Sequence, residues 1–202
     1  MSAASAAVPS APAVAHRPRG IPPALLGMIL FIASEAMFFG GFFGAYFAIR
    51  AGQPAWPPAS PAIPKLETIP IALILTIVLV SSSFTMHAGL LAIGRGDRRG
   101  LIRWTTLTLI LGATFLSLQI YDYANVGFGI RDGIFATLFY TMTGFHFAHV
   151  LGGALFLYLL LLQAHRGAFT AEDHVGVTAG TIYWHFVDVI WIGLFTTYYL
   201  LR

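Results

Sequence analysis

Five long apolar runs, separated by short polar or proline-rich segments, set the pattern of this chain. They fall at Ala24–Ile49, Thr68–Ile93, Leu101–Tyr123, Ile134–Gln163 and Val177–Leu201. A helix needs about 20 residues to cross roughly 30 Å of hydrocarbon, and each run is that long. The runs are continuous and lack the period-two alternation of a barrel strand. Within lipid a segment has to satisfy its own backbone polar groups, which predicts helices. The expected fold is therefore all-α: a polytopic membrane bundle of five transmembrane helices, with residues 24–202 as one membrane domain.

The segments between the runs read differently. Residues 1–23 are rich in Ala, Pro and Ser, hold five prolines, and are expected to form a disordered arm. The arm does not resemble a cleaved signal peptide, because Arg17 and Arg19 precede a run too long for an h-region. Ala51–Leu66 carries Pro54, Pro57, Pro58, Pro61 and Pro64, a density that no helix tolerates, and predicts an extended loop. Gly94–Gly100 reads as a short basic turn, Asp122–Gly133 as a glycine-containing turn and His165–Gly176 as a polar loop.

Composition supports the same picture. The chain is 57% hydrophobic and only 9% charged, against about 25% charged in soluble domains. That excludes a water-soluble globule. The absence of cysteine excludes disulfides, thiolate metal sites and cysteine nucleophiles. A net charge of +3 is too small to imply nucleic-acid binding. Its distribution is informative, because basic residues favour the cytoplasmic side. The N-terminal side collects Arg17, Arg19, Arg95, Arg98, Arg99, Arg103 and Arg166; the other side has Arg50, Lys65, Arg131 and Arg202. The N-terminus is therefore expected in the cytoplasm and the C-terminus outside.

Ionisable residues within a span cost about 2.5–3.5 kcal/mol each on insertion scales, so each needs a partner or a task. Glu35 lies in the first run, His87 in the second, Asp122 at the end of the third, His146 and His149 in the fourth, and His185 and Asp188 in the fifth. His146 and His149 are three residues apart and share a helix face, as do His185 and Asp188. Glu35 sits among Ala33, Ser34, Ala36, Gly40, Gly41 and Gly44; the Gly40/Gly44 face predicts close approach of a neighbouring helix. Together these residues predict a polar seam, with Glu35 turned toward protein. A metal or haem site could use the two histidines. Hydrogen bonding that fixes helix register would use the same residues, and a proton relay would centre on Glu35. No phosphate-binding glycine loop, nucleophile elbow, zinc-protease helix or dinucleotide fingerprint is present.

The same residues carry a resemblance. Tyr183-Trp184-His185-Phe186-Val187-Asp188-Val189-Ile190-Trp191 resembles the last-helix signature of subunit III of haem–copper oxidases. Gly144-Phe145-His146-Phe147-Ala148-His149-Val150 and Ser34-Glu35-Ala36-Met37-Phe38-Phe39 resemble two more of its motifs. Trp56-Pro57-Pro58, Gly96-Asp97-Arg98, and Leu118-Gln119 before Asp122 follow in the same order, so the likeness runs from about residue 24 to the C-terminus. The family has seven- and five-helix forms, and this chain is similar to the short form.

The resemblance implies a non-redox accessory subunit of an aa3-type cytochrome c oxidase, a proton-pumping enzyme of aerobic respiration in the bacterial plasma membrane. Haem and copper then reside in subunits I and II, and this chain carries no cofactor but phospholipid. Expected partners are subunits I and II, a respiratory supercomplex and membrane lipid. By position, Glu35 matches a buried carboxylate facing subunit I that supports proton supply, and His149, Trp56 and Arg166 are expected at the lipid cleft. His146, His185, Asp188 and Asp122 form the polar seam, with no catalytic residue and no metal ligand. Gln163 stands where longer members have a lipid-gripping basic residue, Phe147-Ala148 where Gly-Leu is usual, and Asp122 where Glu is common. Glu35, Trp56-Pro57-Pro58 and Tyr183 lean toward the cytochrome c branch. The alternatives are a subunit III of a quinol oxidase, or an independent proton or ion translocator.

Overall fold

A computed structural model describes residues 20–58 and 69–201. Most of the expected N-terminal arm, and residues 59–66 of the proline-rich loop, lie outside the described residues. The described residues contain five helices and no strand: α1 (Pro23–Ala51), α2 (Ile69–Gly94), α3 (Arg98–Asn125), α4 (Ile134–Arg166) and α5 (Val175–Phe195), with a π-helical turn at Thr196–Leu200. All five are long and apolar enough to cross a membrane.

Helix α3 begins three residues before its apolar run and α4 ends three residues after its own, because their caps lie in the polar flanks, whereas α5 gives way to the π-helical turn inside its run. Proline at the first turn starts α1, where a missing N–H costs nothing. Asp97 caps α3, its carboxylate accepting from Gly100 N at 2.8 Å. Gly167 ends α4 in the left-handed conformation, φ 79°, which a residue with a Cβ resists. Arg98 reinforces this end: its Nε donates at 2.6 Å to Ala164 O, which also accepts from Gly167 N, and its Nη2 donates to His165 O. That contact fixes the α2–α3 turn and the end of α4 at one end of the bundle. At the other end, Trp56 Nε1 donates to Tyr46 Oη at 2.7 Å, Tyr46 Oη donates to Thr197 O at 3.2 Å, and Trp56 packs edge-on to Phe135.

Helices α2, α3, α4 and α5 form a closed ring of four, and α1 lies outside it against α5 and, more slightly, α4. Two tryptophans of α5 hold the ring together. Trp184 Nε1 donates to Ser82 Oγ of α2 at 2.8 Å. The rim of its indole lies so close to Gly112 of α3 and Gly153 of α4 that an added Cβ would sit 2.9 and 3.0 Å away. Trp191, one heptad on, donates to Thr76 Oγ1 of α2 at 3.0 Å and packs against Phe115 of α3 and His146 of α4.

The expected close packing at Gly40 and Gly44 does not occur among the described residues. Among the described residues nothing lies within 4 Å of a Cβ built at either position, and no described helix covers that face of α1.

Candidate functional site at the α1–α4–α5 junction

Glu35 and His149 meet where α1 crosses the ring. Glu35 Oε2 lies 3.0 Å from His149 Nε2, and both side chains are about one-fifth exposed. The other ring nitrogen, Nδ1, is 2.7 Å from Phe145 O. A carbonyl only accepts, so Nδ1 carries a proton. The 3.0 Å contact then needs a second proton, on either Nε2 or Oε2. The pair is either imidazolium with carboxylate or imidazole with carboxylic acid, and it is neutral as a whole in both. That is how a carboxyl can sit within a span without an uncompensated charge.

Aromatic side chains enclose the pair. Phe39 stands edge-on to the His149 ring at 5.0 Å, with Phe38 beyond at 6.3 Å. Tyr183 Oη of α5 donates to His149 O at 3.0 Å. Beside it opens an apolar groove of about 280 Å³, lined by Met28, Phe31, Gly152, Phe156 and Tyr183. Gly152 and Gly153 allow α5 to approach: a Cβ on Gly153 would meet Tyr183 Cε1 at 2.8 Å. The junction therefore sets one exchangeable proton beside an apolar groove.

The other singled-out residues do not join this junction. His146 points into the ring between Phe115 and Trp191, 1% exposed, and neither ring nitrogen has a partner among the described residues. The two histidines that share a face thus serve different neighbours, since a three-residue offset turns the helix by about 60°. His185 pairs through Nδ1 with Ser83 Oγ at 2.8 Å, and its ring lies 6.0 Å from that of the exposed His87. Asp188 is buried, with Oδ1 unpartnered. Asp122 is at the far end of α3, where its Oδ2 lies 3.4 Å from Tyr199 Oη. Among the described residues, no three His, Cys, Asp or Glu side chains are grouped to hold a metal. The seam is therefore several separate polar contacts, only one of which reaches α1.

Trp56 and Arg166 also stand apart from His149. Trp56 packs at one end of the bundle, and Arg166 is the last residue of α4, about 25 Å along the helix from His149. Sequence reasoning missed Tyr183 as a wall of the groove and as the donor to His149 O; the one available signal was the facing glycine pair at 152 and 153.

Comparison with known proteins adds to the geometry. The description "Cytochrome c oxidase subunit III" matches the chain over residues 16–201. A cytochrome c oxidase subunit 3 of Thermostichus vulcanus is 43% identical over 178 residues, covering 88% of this chain and 87% of the relative. One from Corynebacterium diphtheriae is 40% identical over 202 residues, covering 97% of this chain and 95% of the relative. A longer one from Scyliorhinus canicula is 42% identical, with 86% of this chain matched to 67% of the relative. With five membrane-length helices and a match across nearly the whole sequence, the chain belongs to the cytochrome c oxidase subunit III family and is an integral membrane component of an oxidase complex.

Proposed function

We propose that the chain is the non-redox subunit III of an aa3-type cytochrome c oxidase in a bacterial plasma membrane, with its N-terminus in the cytoplasm. It shelters phospholipid beside α1 and helps subunit I take up protons. The observation that carries this reading is the Glu35–His149 pair: one exchangeable proton held at the edge of an apolar groove, on the helix that this chain leaves uncovered. Only Phe39 and Tyr46 of the 29 residues of α1 are buried. A face so apolar and so open suits a neighbouring subunit and lipid tails. The relatives' names supply cytochrome c as the donor for those oxidases, and the lean of Glu35 and Trp56-Pro57-Pro58 extends it to this one. Haem and copper belong to the partner subunits I and II in this reading, and the chain's own ligand is phospholipid.

The test is purification in mild detergent. Haem-bearing subunits are expected to co-purify, and the separated chain is expected to show no Soret band; a stoichiometric cofactor on the separated chain would overturn the reading. Glu35→Gln keeps the shape and a hydrogen bond but removes the shared proton. It is expected to slow proton uptake by the complex while haem reduction by the donor stays at the wild-type rate. His149→Leu is expected to lower the phospholipid retained by the complex, and unchanged lipid content would count against the groove as a lipid site.

A further inference from the structure

A second amphiphile-shaped feature lies at the α2–α3 turn, on helices that take no part in the α1 junction. Arg95, Arg99 and Arg103 are all exposed there. None of the three forms an ion pair among the described residues. The neighbouring carboxylate, Asp97, is committed to capping α3 through Gly100 N. Arg98 is committed to the end of α4 through Ala164 O and His165 O. Three guanidinium groups are thus left without a counter-charge at one end of the bundle. The sidedness of basic residues accounts for their lying at this end, but not for what adjoins them.

Arg95 is also part of a groove of about 270 Å³, lined by Ala88, Leu91, Ala92, Arg95, Asp97 and Trp104. Ala88, Leu91 and Ala92 are spaced i, i+3, i+4 and so form one face of α2, with Arg95 one residue past its end. Small side chains at 88 and 92 keep the groove open, while Leu91 and Trp104 give it apolar walls, 47% and 40% exposed. Its polarity is graded along the helix: charged at Arg95, apolar about 10 Å deeper at Ala88. A half-exposed indole one turn in from a basic cluster is the usual marker of the headgroup level. Guanidinium forks match phosphate oxygens, and each basic residue near an anionic lipid surface contributes about 1 kcal/mol.

We propose that this groove binds an anionic phospholipid. Its phosphate is held by Arg95 with Arg99 and Arg103, and its acyl chain lies along Ala88, Leu91, Ala92 and the face of Trp104. Charge selects the lipid: a zwitterionic headgroup brings its own cation to a turn where Arg95, Arg99 and Arg103 already outnumber the Asp97 carboxylate.

The test uses the intact oxidase complex in bilayers doped with photoreactive phosphatidylglycerol or phosphatidylcholine at equal mole fraction, the reactive group being in the acyl chain. Cross-linked peptides are then mapped. Labelling of residues 88–104 is expected to favour phosphatidylglycerol by at least about fivefold, the factor that one basic residue supplies. Arg95→Gln with Arg103→Gln is expected to bring that labelling down to the phosphatidylcholine level, and Arg95→Lys with Arg103→Lys to retain the preference. Labelling at the lipid-facing Leu155 and Leu159 of α4 serves as the reference for bulk lipid. Equal labelling of residues 88–104 by the two lipids overturns the proposal. So does loss of the preference on adding millimolar inorganic phosphate, which would make this a site for a free anion.

Discussion

Helices α1 and α5 are both continuous apolar runs, yet they live in different surroundings. Ten of the 21 residues of α5 are buried against the rest of the chain, among them Trp184 and Trp191. Of the 29 residues of α1, two are. Both are suited to lipid by composition, and only α5 is built to be surrounded by its own chain. The contrast teaches that apolarity decides whether a segment enters the membrane, whereas close contact between helices depends on where large and small side chains meet. On α5 the Trp184 indole faces two glycines; on α1 Gly40 and Gly44 face nothing among the described residues.

The contrast can be broken from the α5 side first. Trp184→Ala removes the side chain that touches three helices and the donor to Ser82 Oγ, which keeps its own hydrogen bond to Leu79 O. It is expected to cost about 3–5 kcal/mol, read as a lowered midpoint for unfolding or loss of monodispersity in detergent; a variant as stable as the parent would mean that the ring does not depend on this wedge. Gly153→Ala is next. Its Cβ would meet Tyr183 Cε1 at 2.8 Å and Trp184 Cζ3 at 3.0 Å, so overpacking is expected to cost about 1–3 kcal/mol in the same measurement.

A smaller effect is expected at the end of the bundle. Arg98→Gln removes the donors to the last carbonyls of α4 and is expected to cost about 1 kcal/mol, with faster hydrogen exchange over residues 160–167. The smallest effect belongs to α1 and sharpens the comparison most. Gly40→Ala meets no atom within 4 Å. In the separated chain it is expected to be neutral or to stabilise the helix by up to about 1 kcal/mol. A loss of stability confined to the assembled complex would show that another subunit packs closely against that glycine.

The sequence revealed the architecture readily and the site unevenly. Long uninterrupted apolar runs made all five helices legible; the start of α3 and the end of α4 lie outside those runs because Asp97 and Gly167 cap them from polar flanks. Glu35 was legible as an inward-facing carboxyl, since ionisable groups avoid lipid. Its partner was less so: His146 and His149 share a face by spacing, but the edge of α1 falls between them, and spacing does not locate edges. The Trp184–Gly112–Gly153 contact joins three helices far apart in sequence, so no local pattern announces it. Arg98 read as one more basic residue at a turn because its carbonyl partners lie 66 and 67 positions away.

The 3.0 Å link between Glu35 and His149 has an electrical consequence. A unit charge carried across the whole bilayer gains about 2.3 kcal/mol per 100 mV. The hop between oxygen and nitrogen covers at most a tenth of the roughly 30 Å hydrocarbon thickness, so the field contributes no more than about 0.2 kcal/mol per 100 mV. Which atom carries the hydrogen is thus decided by local chemistry, and the couple keeps the same bias whether the cell is energised or at rest.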